Sequence, residues 1–146
     1  MFSETLKVTG DVFIYKDGVL IREIKNLVVA TGKNFIAGRL GTSPPSQMTH
    51  MAIGAPSTVL APLPSDVALT TEIARVAVSP AGGTSLNNTV TYVATFPAGV
   101  GTNPAIAEAG IFSASSSGTM LCRTTFASIN KAVGESVVIV WVITIS

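Results

Sequence analysis

Alternation of apolar and polar residues predicts that the chain begins with a β-hairpin. Every second residue from Val8 to Ile14 is apolar or glycine, the period of a half-buried strand. Asp17-Gly18 follows, a dipeptide that tolerates the positive φ angles of a tight hairpin turn. The residues after it are dense in β-branched side chains, which favour a returning strand. We therefore predict an N-terminal hairpin over residues 7–29.

One segment has the spacing of a short helix rather than a strand. Phe35, Ile36 and Leu40 recur at near-helical intervals. Thr31 is placed to cap the N-terminus, and Gly41 is placed to end the helix. We predict a helix over residues 31–40 that packs on a sheet, because a helix this short is marginal alone.

Short strands with a period of two account for most of the remaining chain. The cleanest alternation runs through residues 88–96, where Tyr92, Ala94 and Phe96 share a face. Together with the hairpin they make about eight strands and one helix. This pattern predicts a single all-β domain over residues 1–146, an antiparallel β-sandwich or a jelly-roll-like fold. The further strands are predicted at residues 49–54, 71–79, 105–112, 119–126 and 135–145.

The last strand is apolar at consecutive positions rather than at alternate ones. Val137 to Ile143 form an unbroken apolar run, which is typical of a strand covered on both faces. In a small β-domain the second cover is often another subunit. We therefore predict a contact between copies of the chain through Val138, Val140 and Val142.

A long proline-rich segment interrupts the strand pattern at residues 41–66. Prolines at this density cannot donate to a sheet ladder. Loops of this length in compact domains are usually functional or disordered. We predict a surface loop or extended arm that contacts a partner protein, together with the N-terminal segment 1–6. Its candidate contact residues are Pro44, Pro45, Pro56, Pro62 and Pro64.

Composition narrows the class of partner. Charged residues make up 12% of the 146 residues, against about 25% in ordinary domains. The mean hydropathy is +0.54 and the formal net charge is +1, so no basic stripe for nucleic acid is expected. We expect neither a membrane helix, since the longest apolar run is far shorter than about 20 residues, nor a signal peptide. A chain with so few charges favours burial of its surface against other proteins.

Candidate catalytic groups are few. Glu72 and Glu108 lie in apolar surroundings, and two carboxylates are the minimum for a glycosidase. The competing interpretation, which we favour, is that each forms a structural ion pair, with Arg75 and Arg123 as the partners. With the single histidine His50 and the single cysteine Cys122, the sequence offers no ordinary metal-ligand set and no cofactor motif. We expect His50 at the surface or an interface, Cys122 as a small buried apolar residue, and no enzymatic activity.

Several segments resemble a small domain of tailed-bacteriophage virion proteins. They include Asn26-Leu27-Val28-Val29, Gly32-Lys33 before the helix, Leu69-Thr70-Thr71-Glu72 with Arg75, and Gly118-Thr119-Met120-Leu121 with Arg123. Glu108-Ala109-Gly110-Ile111-Phe112 is similar to the Glu-x-Gly-hydrophobic-Phe signature of phage tail-fibre and collar modules. The resemblance covers roughly residues 26–145.

The resemblance implies a non-enzymatic virion protein and leaves two placements open. A free-standing β-domain without shaft or repeat resembles a capsid decoration (cement) protein. Such a protein binds the outside of the capsid and contacts the major capsid protein and copies of itself, as a dimer or trimer. The alternative is a tail, baseplate or fibre-tip protein that binds a host receptor. Either placement implies synthesis in the bacterial cytoplasm, location in the virion, and no cofactor, nucleic acid, membrane or small-molecule substrate.

Overall fold

The computed structural model describes residues 4–146 as two packed antiparallel sheets of five strands each, with one helix. The prediction of an all-β sandwich is therefore confirmed. The elements are β1 Val8–Lys16, β2 Val19–Lys25, β3 Leu27–Val28, α1 Ala30–Leu40, β4 His50–Gly54, β5 Glu72–Ala77, β6 Thr84–Leu86, β7 Thr89–Phe96, β8 Asn103–Phe112, β9 Met120–Lys131 and β10 Val137–Ile145.

The first sheet has the strand order β2-β1-β10-β7-β6, and the second sheet has the order β3-β9-β8-β4-β5. The first and last long strands are neighbours in the first sheet, since β1 pairs with β10 along its whole length. The very short strands β3 and β6 were not predicted. Two or three residues are too few to show an alternation, and both strands exist because a longer neighbour supplies the hydrogen bonds.

The N-terminal hairpin forms, but its returning strand ends at Lys25 rather than at residue 29, because Leu27 and Val28 pair with β9 in the second sheet. Asp17 and Gly18 adopt φ angles of 48° and 81°, which is the double positive-φ geometry of a tight hairpin turn. Val12 and Ile14 are fully buried between the sheets. The side chain of Arg22 links the edge strand β2 to the second sheet, because its guanidinium donates to the carbonyls of Ala127 and Ser128 at 3.1 and 2.9 Å.

The helix lies at the predicted place, but its N-terminus differs from the prediction. Residue Val29 occupies the cap position without a side-chain hydrogen bond. The hydroxyl of Thr31 instead donates to the carbonyl of Met120 at 2.8 Å, tying the first turn to β9. The backbone of Gly32 lies so close to β9 that an added Cβ would fall 1.9 Å from the Leu121 carbonyl oxygen. Tertiary contact with β9, rather than a local cap, therefore fixes where the helix begins.

The main core lies between the two sheets. Its largest fully buried side chains include Trp141, Phe96, Ile139, Ile53 and Ile111. Alternate residues of β7 point into it, as the sequence pattern predicted. A smaller buried cluster lies on the other face of the second sheet; its members are Val29, Ala52, Leu69, Phe112 and Met120.

Candidate interaction surfaces

The outer face of the first sheet carries a continuous row of partly exposed apolar side chains. In the strand register Val140 lies between Phe13 and Val93, and Val138 lies beside Tyr15. All are half-buried, and the strands β7 and β10 contain no charged residue. We call this surface the apolar stripe; it consists of Phe13, Tyr15, Val93, Val138, Val140 and Val142.

Within the chain the last strand is covered on one face only. Val137, Ile139 and Trp141 are buried in the core, whereas Val138, Val140 and Val142 alternate with them and stay half-exposed. The single chain thus supplies one of the two covers expected for this strand. Its apolar outer positions are what the prediction of a contact between copies requires, and that contact stays a prediction.

Charged residues lie along one edge of the apolar stripe. Beside Val142, Asp11 lies opposite Lys25 of β2, and the two form an ion pair. Glu23 lies opposite Phe13 on the same edge strand. The uncharged part of the face is thus bounded by charged residues on the β2 side, the arrangement of an apolar patch with a polar rim.

The C-terminal part of the proline-rich segment folds back over the outer face of the second sheet. We call residues 55–71 the covering loop. Its Leu69 joins the smaller buried cluster and packs on Gly110, where a Cβ would lie 3.2 Å from a Leu69 methyl. The amide of Ala55 donates to the Thr71 carbonyl at 3.0 Å, which closes the loop at its base. The loop is thus tied to the second sheet at its two ends, whereas residues 57–61 between them are exposed.

A buried carboxylate anchors the covering loop to the sheet. Glu108 is fully buried, and it accepts the backbone N–H groups of Thr70 and Thr71 at 3.1 and 2.8 Å. Arg123 donates to the same carboxylate at 2.8 Å and to Asp66 of the loop at 2.9 Å. Three donors on one buried carboxylate satisfy its charge where water is excluded. This polar anchor, Asp66, Thr70, Thr71, Glu108 and Arg123, holds the loop by both its backbone and its side chains.

The second predicted pair lies nearer the surface. Arg75 binds both carboxylate oxygens of Glu72, at 2.7 and 2.9 Å. The same guanidinium donates to the carbonyls of Ala114 and Ser117 and stacks over Phe112 at 3.9 Å from the ring centre. The structure thus brings the four predicted residues together as Arg75 with Glu72 and Arg123 with Glu108. Both carboxylates are engaged by arginine.

Sequence reasoning missed the role of Asp66. Its carboxylate forms an ion pair with Arg123 and accepts a hydrogen bond from the Leu63 backbone N–H at 2.8 Å. The signal was available, because an aspartate in a proline-rich loop commonly accepts a nearby backbone N–H. Its pairing with a residue 57 positions away was not available from the pattern.

The predicted proline contacts divide by exposure. Pro44, Pro45 and Pro64 are exposed and Pro62 is half-buried. Pro56 is buried against the sheet, so its prediction as a partner contact is wrong: it has no free surface to offer. Residues 1–3 of the predicted N-terminal contact lie outside the described part of the chain. The covering loop instead exposes four aliphatic side chains not singled out from the sequence, Val59, Leu60, Leu63 and Val67, at 49, 57, 57 and 62%.

The remaining candidates for chemistry are held in structural positions. Cys122 is buried as predicted, and burial raises the pKa of its thiol. His50 is half-buried, with Nδ1 at 2.8 Å from the Thr49 hydroxyl. Within residues 4–146 no group of three His, Cys, Asp or Glu side chains is placed to hold a metal ion. The one helix described there is too short and too polar to cross a membrane.

Comparison with known proteins adds no family to this picture. No protein-family profile, no curated protein and no solved structure matches the chain.

Proposed function

We propose that the chain is a non-enzymatic structural protein of a tailed-bacteriophage virion, a capsid decoration protein that binds the outside of the capsid and stabilises contacts between capsid subunits. The observation that carries the proposal is the apolar stripe, an uncharged and partly exposed surface on a five-stranded sheet. Exposed apolar patches of this kind mark interaction sites. The resemblance of residues 26–145 to phage virion domains is the reason for proposing a virion as the assembly to which the chain belongs.

The first-sheet face sets the scale of a contact between copies. Its strands β1, β2, β10, β7 and β6 hold 9, 7, 9, 8 and 3 residues, so at about 3.3 Å per residue and about 4.8 Å between strands the face covers roughly 570 Å². That is about seven-tenths of the roughly 800 Å² per partner of a standard protein–protein interface, the size of a smaller contact. Depletion of charge at its centre is typical of interfaces between identical subunits. We assign this face to the contact between copies, in a dimer or trimer.

The covering loop is the surface we assign to the major capsid protein. Its four exposed aliphatic side chains belong to a loop that the polar anchor ties to the second sheet. A preorganised loop loses little conformational entropy when it docks. Contacts of modest affinity, repeated over many symmetry-related copies, then add up to firm attachment.

Copy number tests the placement. The chain is quantified against the major capsid protein in purified virions of the tailed phage that carries its gene. A decoration protein is expected at a ratio near one or at a fixed simple fraction of it. A ratio below about one in twenty would overturn the capsid placement in favour of the tail or fibre-tip alternative, because only shell proteins are repeated with the capsid lattice. Absence from the virion would overturn both.

The contact between copies is tested by Val140→Asp, which places a charge at the centre of the apolar stripe. We expect loss of the oligomer or of solubility, because a buried unpaired charge at an interface is costly. Val133→Asp is the matched control, since Val133 is 69% exposed in the β9–β10 turn. Light scattering gives the mass of both variants. A soluble Val140→Asp oligomer of unchanged mass would exclude this face.

A further inference from the structure

A cavity of about 280 Å³ opens at the end of the sandwich beneath α1. Its lining is mainly apolar and comes from the helix and both sheets, and it includes Ile36, Met48, Val90, Leu121 and Ile143. At the roughly 30 Å³ that one water occupies in the liquid, this volume corresponds to about nine waters. The proposed capsid role does not use this space.

Polar groups also line the cavity: Arg39, Gln47, Ser85 and Tyr92. Arg39 lines the cavity and is exposed to solvent, with one guanidinium nitrogen donating to the Pro45 carbonyl at 2.6 Å. Within residues 4–146 no carboxylate lies within salt-bridge distance of Arg39. The Tyr92 ring borders the same space; burial raises the pKa of its phenol to about 12, and the Arg39 charge opposes that rise. At neutral pH Arg39 is therefore the one charged side chain that lines the site, beside the neutral side chains of Tyr92, Gln47 and Ser85.

We propose that this cavity binds a small aliphatic monocarboxylate, with its alkyl chain among the apolar walls and its carboxylate on Arg39. An apolar pocket with a few polar groups that fix orientation is the usual form of a small-molecule site. The guanidinium is the donor best matched to a carboxylate, since it offers paired N–H groups in a fixed fork. A chain of about eight carbons fills the space and leaves the carboxylate at the mouth. This site goes beyond the proposed virion role and does not depend on it.

The test uses octanoate and the methyl group of Met48 as a reporter. Met48 is fully buried and lines the cavity, whereas Met51 is fully buried outside its lining. With methionine labelled with carbon-13 at its methyl, octanoate is expected to shift the Met48 signal in a saturable way at up to millimolar concentration. The Met51 signal is expected to stay in place. No saturable shift of Met48 in the folded protein would overturn the proposal.

Two further arms separate a carboxylate site from a simple apolar void. Octan-1-ol and octylamine have the same chain without the anion, and each is expected to bind at least tenfold more weakly than octanoate. Arg39→Gln is expected to weaken octanoate at least tenfold; the variant should fold, because Arg39 is exposed. Lys33→Gln, at an exposed cation of the same helix outside the cavity, is the matched control and should bind as the parent does. Equal binding of all three ligands, or an unaffected Arg39→Gln variant, would overturn the assignment.

Discussion

Replacing Glu108 by glutamine is the sharpest test of how the covering loop is held. The carboxylate accepts three donors: the Thr70 and Thr71 amides and the Arg123 guanidinium. An amide of the same shape keeps one acceptor oxygen and turns the other position into a donor. The Thr70 N–H and the guanidinium share one carboxylate oxygen, and the Thr71 N–H uses the other. The new donor must therefore face either the Thr71 N–H or both of the other two donors, so at least one donor loses its acceptor.

The position of the group sets the size of the effect. The Glu108 side chain is 0% exposed and that of Arg123 is 3% exposed, so water cannot replace the lost partner. Removing one member of a buried pair typically costs about 3–5 kcal/mol. In the variant Arg123 still forms its ion pair with Asp66, whose side chain is 21% exposed. We therefore expect a loss of stability near the lower end of this range, about 3 kcal/mol. For a chain of this length, that corresponds to a melting temperature lower by about 6–12 °C.

Urea unfolding of the parent, Glu108→Gln and the matched control Glu72→Gln measures the effect. Glu72 pairs with Arg75, but its side chain is 34% exposed, so its loss is expected to cost no more than about 1 kcal/mol. Proteolysis under native conditions should cut the covering loop faster in Glu108→Gln alone. If Glu108→Gln loses less stability than Glu72→Gln, or if its covering loop is cut no faster than that of the parent, the polar anchor does not hold the loop.

Two further substitutions test the packing of the helix and of a buried cation. Gly32→Ala should lower the free energy of unfolding by about 1–3 kcal/mol, because its Cβ would lie 1.9 Å from the Leu121 carbonyl oxygen. Thermal unfolding measures this change, and unchanged stability would show that the helix is free to move away from β9. Lys131 is fully buried with its ammonium donating to the Pro97 carbonyl at 2.9 Å, and burial lowers its pKa from 10.5. The unfolded chain therefore binds this proton more tightly than the folded chain does. The stability of the parent relative to Lys131→Met should then rise as the pH rises toward 10.5. Urea unfolding at neutral and alkaline pH measures this difference in stability, and a difference that does not change with pH would contradict the lowered pKa.

The fold was predictable from the first sheet, where the long strands β1, β7 and β10 each bury alternate residues. Alternation in β1 and β7 directly reflects one buried face, and Asp17-Gly18 marks the hairpin turn. The strands that escaped prediction are too short to carry a pattern. The cap assigned to Thr31 failed for a different reason: its hydroxyl found a better acceptor on β9 than in its own helix turn.

The candidate surfaces were predictable only in part. The unbroken apolar run of β10 showed that both faces of the strand are apolar. It did not show which face is buried in the core and which is half-exposed in the single chain. The charged residues in apolar sequence surroundings pointed to ion pairs, because an unpaired buried charge is costly. Closure of the covering loop over the second sheet depends on contacts between Asp66 and Arg123, which no local pattern encodes.

The place of β10 between β1 and β7 has a consequence for how the molecule folds. The β8–β9 hairpin and the β1–β2 hairpin join segments near in sequence and can form early. The centre of the first sheet can form only when β10 leaves the ribosome and inserts beside β1, more than 120 residues away along the chain. Until then the apolar edges of β1 and β7 stay unpaired, so we expect slow, late closure and a nascent chain that depends on chaperones during synthesis.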